Sequence, residues 1–141
     1  MYALGIKLRR KVCHGRRPKK ILYAEDNADI AKVCLMTLEK LGKFEVLHCP
    51  DGFDALENFP KFSPQLLLLD VMMPGMDGPE TLQKIRTLPN GEHVPAIFIT
   101  AKAQNSEQEE YMTFDGVVGV IVKPFNPMTL CDEMRTLWGK T

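Results

Sequence analysis

At 141 residues with 45% hydrophobic content, the chain suits one domain with a real core, and no run of about 18 apolar residues marks a transmembrane helix. Basic and acidic residues balance at 18 each, yet residues 1–20 hold eight bases and no acid, leaving 10 basic against 18 acidic residues in 21–141. The four cysteines are scattered without C-x-x-C spacing, which argues against a disulfide framework or a metal site and suits small core hydrophobes in a reducing cytosol.

Residues 1–18 read as a basic, disordered N-terminal extension, either vector-derived or from an upstream start, with the domain occupying 19–141. Met1–Ile6 is too short for the apolar core of a signal peptide and precedes the charges instead of following them. The stretch lacks amphipathic period and interleaved aromatics, so neither nucleic acid nor membrane is expected as a partner.

Ile21-Leu22-Tyr23-Ala24 predicts the first strand, running into Glu25-Asp26. Asn27 caps a helix whose stripe is Ile30, Val33, Cys34, Thr37, Leu38 and Leu41, with Gly42 as its stop. Phe44–Leu47 forms a short strand, and Asp51 caps a helix through Asn58 that ends before Pro60. Gln65 to Leu69 delivers Asp70 to the turn Val71-Met72-Met73-Pro74-Gly75. Pro79 opens a helix carrying Leu82, Ile85 and Leu88, broken at Pro89-Asn90-Gly91.

Ala96–Ile99 is a strand leading into Thr100, and Ser106 caps a helix over Glu107 to Met112 with a thin apolar stripe. That acidic helix reads either as a solvated face or as a partner-binding surface. Val117 to Val122 is the last strand, leading into Lys123, and Leu130, Cys131, Met134, Leu137 and Trp138 mark the buried face of a final helix. Five strands alternating with five helices predict an α/β, doubly wound parallel sheet covered on both faces.

In such a sheet every strand exit lies on one edge, so Glu25, Asp26, Asp70, Thr100 and Lys123 gather in one crevice. Three converging carboxylates repel one another, and a hard divalent cation resolves this by accepting oxygen ligands. Mg²⁺ with a phosphoryl group is the natural ligand set; Thr100 and Lys123 suit phosphoryl oxygens, and Asp70 suits the acceptor role because phosphoryl transfer is mainly positioning and charge neutralisation. Met72, Met73 and Met76 read as loop filler, since the neighbouring ligands are hard oxygens.

The set Glu25-Asp26-Asn27, Leu69 to Gly78 around Asp70, Thr100-Ala101 and Lys123-Pro124-Phe125 resembles the receiver domain of two-component response regulators. That chemotaxis-regulator-like family implies a flavodoxin-like sheet of order 2-1-3-4-5. By the resemblance, Asp70 is the phosphoacceptor and Glu25, Asp26, Asp70 and the Met72 carbonyl bind Mg²⁺. Thr100 is the switch hydroxyl, Ala101 the small residue that keeps the acceptor accessible, and Lys123 the contact to a phosphoryl oxygen, with a cis Lys123-Pro124 bond. One departure concerns the switch: Val120 stands three positions before Lys123, where the family usually has an aromatic ring, and Gly119 loosens that end of the strand.

The resemblance implies a cytoplasmic phosphoacceptor signalling domain, not a turnover enzyme. It implies a histidine kinase or histidine phosphotransfer protein as donor, a downstream protein partner, and phosphorylation-linked homodimerisation. With Thr141 closing the sequence after the last helix, the expectation is a stand-alone receiver or a piece of a larger regulator or hybrid kinase. The rival is a Mg²⁺-dependent aspartyl-phosphate phosphohydrolase, whose second Asp two positions after the nucleophile is here Met72. A nucleotide- or flavin-binding module of similar fold is the third reading, and against it the chain has no Gly-rich phosphate loop after the first strand.

Overall fold

The computed structural model describes residues 19–101 and 104–139, so the basic extension 1–18 lies outside the described residues. Five strands form one parallel sheet: β1 (Lys20–Ala24), β2 (Glu45–Cys49), β3 (Leu66–Asp70), β4 (Ala96–Thr100) and β5 (Val117–Val122). The order is β2-β1-β3-β4-β5, as expected. Crossovers run through α1 (Ala28–Met36, continued by π-helical turns over Thr37–Leu41), α2 (Gly52–Phe62), α3 (Gly78–Ile85) and α4 (Asn105–Met112), and α5 (Leu130–Trp138) closes the chain.

Alternation along each strand splits the core in two. Leu22, Leu67, Leu69 and Phe98 meet Ala55 and Phe59 of α2, Leu82 and Ile85 of α3, and Tyr111 of α4. Ile21, Tyr23, Leu68, Ile97 and Ile121 face the other way, onto Cys34 and Leu38 after α1 begins and Leu130 and Met134 of α5. Burial on both faces explains why the strands read as unbroken apolar runs.

Several boundaries differ from expectation. The α1 stripe is centred on Ala31, Cys34 and Leu38, whereas Val33 and Leu41 are exposed. Past Met36 the turns widen, with the Gly42 amide donating to the Thr37 carbonyl at 3.2 Å, and this shifts Leu41 off the sheet. The second strand starts at Glu45, leaving Phe44 buried just before it.

Helix α2 does not stop before Pro60 but runs to Phe62. Ser63 caps it, its amide donating to the Phe59 carbonyl at 2.9 Å, and Lys20 Nζ holds the last turn from outside by donating to the Phe62 carbonyl at 3.1 Å. Helix α3 ends at Ile85, before Leu88, and its cap is Asp77, whose Oδ1 accepts from the Glu80 amide at 2.8 Å. Ser106 lies inside α4 instead of capping it, because the Gln104 carbonyl already accepts the first helical amides of Glu107 and Gln108.

Gly119 stands where the β4–β5 register skips Val118, and a side chain there would collide with Leu137 of α5. It permits close helix approach. Arg86, just after α3, donates to the carbonyls of Gly91, Val94 and Asp115 at 2.7–3.2 Å, tying two loops to one guanidinium. Burial lowers its pKa below the usual arginine range. Replacing Arg86 with Ala strands those acceptors, and chemical denaturation is expected to show a loss of about 2 kcal/mol.

Candidate functional site

The strand order reverses between β1 and β3, because β1 has β2 on one side and β3 on the other. Crossovers leave that point in opposite directions and open a crevice beyond the carboxyl ends of the two strands. Glu25 and Asp26 follow β1, and Asp70 ends β3. One oxygen from each of the three lies within 4.8 Å of the others.

Asp70 is buried, and both of its oxygens are engaged. Oδ1 accepts from the Met72 amide at 3.3 Å, and Oδ2 accepts from Lys123 Nζ at 2.9 Å. Lys123 Nζ lies equally close, 2.9 Å, to Glu25 Oε1, so one ammonium bridges two buried acids. Lys123 is delivered from β5, and its amide donates to the Thr100 carbonyl at 2.7 Å. Thr100 is fully buried at the end of β4, beside the Asp70 strand. The Lys123-Pro124 bond is cis, as the resemblance implied.

Burial pushes the Glu25 carboxyl up from 4.5 to about 7, helped by its hydrogen bond and charge contact with Asp70; Lys123 and the Asn27 amide pull it back. For Lys123, burial alone would lower the pKa, but the bonds to Asp70 and Glu25 overcome it and the ammonium is held above its ordinary value. Because Glu25 titrates higher folded than unfolded, its contribution to stability is fully present below about 4.5 and fades as pH rises through about 7. Thermal denaturation without metal should show stability rising by on the order of 1 to 3 kcal/mol as pH falls across that range. Glu25→Gln should flatten the slope.

The turn after Asp70 is shaped by a close approach. The Gly78 amide donates to the Val71 carbonyl at 2.9 Å, and a side chain at Gly78 would meet the Asp70 carbonyl. The position where the phosphohydrolase reading requires a carboxyl is occupied by Met72, whose side chain is 59% exposed. Ala101 is exposed and borders, with Val33 and Phe125, a cleft of ≈ 570 Å³ that Lys123 also lines. Val120 lies three residues before Lys123 and packs half-buried against the core beside Phe98.

Two supporting residues escaped the sequence reading. Tyr23 is fully buried in β1, burial holds its phenol far above the ordinary tyrosine range, and its hydroxyl lies 3.5 Å from Glu25 Oε1. His48 of β2 sits 2.8 Å from the Glu25 carbonyl through Nε2, with its ring 5.6 Å from that of Tyr23. Their side-by-side register across β1 and β2 is the signal, and it is visible only once the strands are paired.

A family model described as the response regulator receiver domain matches residues 21–135. Among similar proteins, a probable transcriptional regulator ycf27 of Galdieria sulphuraria is 38% identical over 85% of this chain and 45% of its own length. An uncharacterised 14.6 kDa protein of Leptolyngbya boryana is 34% identical over 78% of this chain and 82% of its own. The chemotaxis protein CheY4 of Vibrio cholerae superposes with a TM-score of 0.77 at 29% identity, covering 86% of this chain and 99% of that one. The chain spans about half the length of the curated transcriptional regulators it matches. Among the described residues no helix is long and apolar enough to cross a membrane.

Proposed function

The chain belongs to the response regulator receiver domain family, and from that membership we propose that it is a cytoplasmic phosphoacceptor, with its receiver unit in residues 19–141. In this reading it takes a phosphoryl group onto Asp70 from a histidine kinase or histidine phosphotransfer protein. The observation that carries it is Lys123 Nζ shared at 2.9 Å between two buried carboxylates beside a third.

Three hard oxygen donors within 4.8 Å fit Mg²⁺, with Glu25, Asp26, Asp70 and the Met72 carbonyl as its holders. Bound there, the ion would supply positive charge against the phosphoryl oxygens. An Asp70 oxygen forms a bond to phosphorus as the donor's phosphorus–nitrogen bond breaks, and the electron pair leaves with the imidazole. Lys123 follows the charge from carboxylate to phosphoryl oxygen, Thr100 donates its hydroxyl to that group, and the small Ala101 leaves the approach open. The new charge biases two arrangements of the face formed by α4, β5 and α5, with Val120 moving little, and so alters affinity for a downstream protein.

Incubation with acetyl phosphate and Mg²⁺ should add one phosphoryl mass, located by fragmentation on the peptide containing Asp70 and absent when the metal is chelated. A label on another peptide, or sustained turnover of generic phosphomonoesters, would overturn the assignment.

A further inference from the structure

The face built from α4, β5 and α5 carries two depressions of ≈ 490 Å³ and ≈ 400 Å³ that meet over Val120. Their apolar floor is Met112, Val120 and Leu137, and their charged lining is Glu109, Asp132 and Glu133. Among the described residues no base lines either one. Arg135, the nearest cation in sequence, touches Asp132 only at 3.6 Å and spends its guanidinium on the Gly42 carbonyl and the Phe44 ring instead. An isologous contact between two copies would set these carboxylates against their equals, which like-charge repulsion disfavours.

The chain holds one stretch of opposite character. Residues 1–18 contain Lys7, Arg9, Arg10, Lys11, Arg16 and Arg17, no acid, and the apolar residues Leu4, Ile6, Leu8 and Val12. The stretch joins β1 at its start, three strand spacings or about 14 Å from β5, while 18 residues reach up to about 60 Å when extended. Tethering makes the encounter intramolecular, so charge complementarity acts at high effective concentration. We propose that the basic segment 1–18 docks in cis on the acid-rimmed groove over Val120, its apolar side chains on the floor and its cations on Glu109, Asp132 and Glu133. The contact requires no phosphoryl chemistry, so it stands whether or not Asp70 is the acceptor.

Cys13 lies in the segment, and Cys34, Cys49 and Cys131 are buried, so a thiol-directed nitroxide applied to the full folded chain marks the segment alone. At low salt, paramagnetic broadening should more than halve the amide signals of Met112, Val120 and Glu133 while sparing Phe53 at the start of α2, which follows β2 at the sheet edge opposite β5. Raising ionic strength from about 0.01 M to about 1 M shortens the screening length from about 30 Å to about 3 Å and should restore the signals. The variant carrying Glu109→Gln, Asp132→Asn and Glu133→Gln should show no broadening at either salt. Broadening that avoids Val120 or persists in that variant would overturn the docking. Equal broadening of isotope-labelled protein by a separate spin-labelled copy would assign the contact to two molecules and overturn the cis arrangement. Asp70→Asn protein should behave as wild type in every arm.

Discussion

Asp70→Asn protein is expected to take up no phosphoryl group from acetyl phosphate and Mg²⁺, with intact mass unchanged where wild type gains one phosphoryl mass. The amide has no anionic oxygen to attack phosphorus, and it withdraws one of the three carboxylates that lie within 4.8 Å of one another. Misfolding will not account for the loss. The Asn side chain still offers an oxygen to the Met72 amide, Lys123 keeps its 2.9 Å contact to Glu25, and the charge of Asp70 that helps push Glu25 up is gone. The variant should therefore melt at or above the wild-type temperature at neutral pH without metal. Labelling equal to wild type would refute the acceptor role, whereas a lower melting temperature would instead refute the repulsion assigned to the acidic cluster.

Lys123→Ala should give the second large effect, in stability and chemistry together. Removing the ammonium leaves Glu25 and Asp70 buried without their shared partner, and breaking such a pair from one side costs about 3 kcal/mol, discounted here because the lysine side chain is 16% exposed. The sign with pH follows from the carboxylates. Without the counter-charge the Glu25 carboxyl moves further up, so the deficit against wild type is largest above about pH 7 and shrinks as acid protonates it. Denaturation midpoints at several pH values, taken without metal, check this; a pH-independent deficit would indicate lost packing alone. Phosphoryl uptake should fall as well, and Lys123→Arg should recover stability better than uptake, because a planar fork does not replace a compact point charge at a moving oxygen.

Apolar runs ending in Glu25, Asp70, Thr100 and Lys123 announced both the strands and the edge that would collect these groups, because a strand buried on two faces has no other place for a charge than its end. Caps at Asn27 and Asp51 were legible for the same local reason: a short side chain beside an unsatisfied amide. Where neighbours in space overrode local preference, the sequence misled. Pro60 reads as a helix stop, yet the helix continues to Phe62, whose carbonyl Lys20 captures from 42 positions away. Val33 and Leu41 belong to the apolar period of α1 but not to the surface it buries.

By itself, then, the order of residues determined the alternating elements, the two-faced core and the identities of the acidic, hydroxyl and ammonium groups, since each follows from periodicity or from a strand's end. Only the folded chain decided that a single ammonium would bridge Glu25 and Asp70 at 2.9 Å, that Tyr23 and His48 would stand beneath Glu25, and that Val120 would floor an acid-rimmed groove. Those outcomes depend on how β1, β3, β4 and β5 are paired and how the helices seat upon them. Distance and burial, and with them the pKa of Glu25, exist only after that packing is complete.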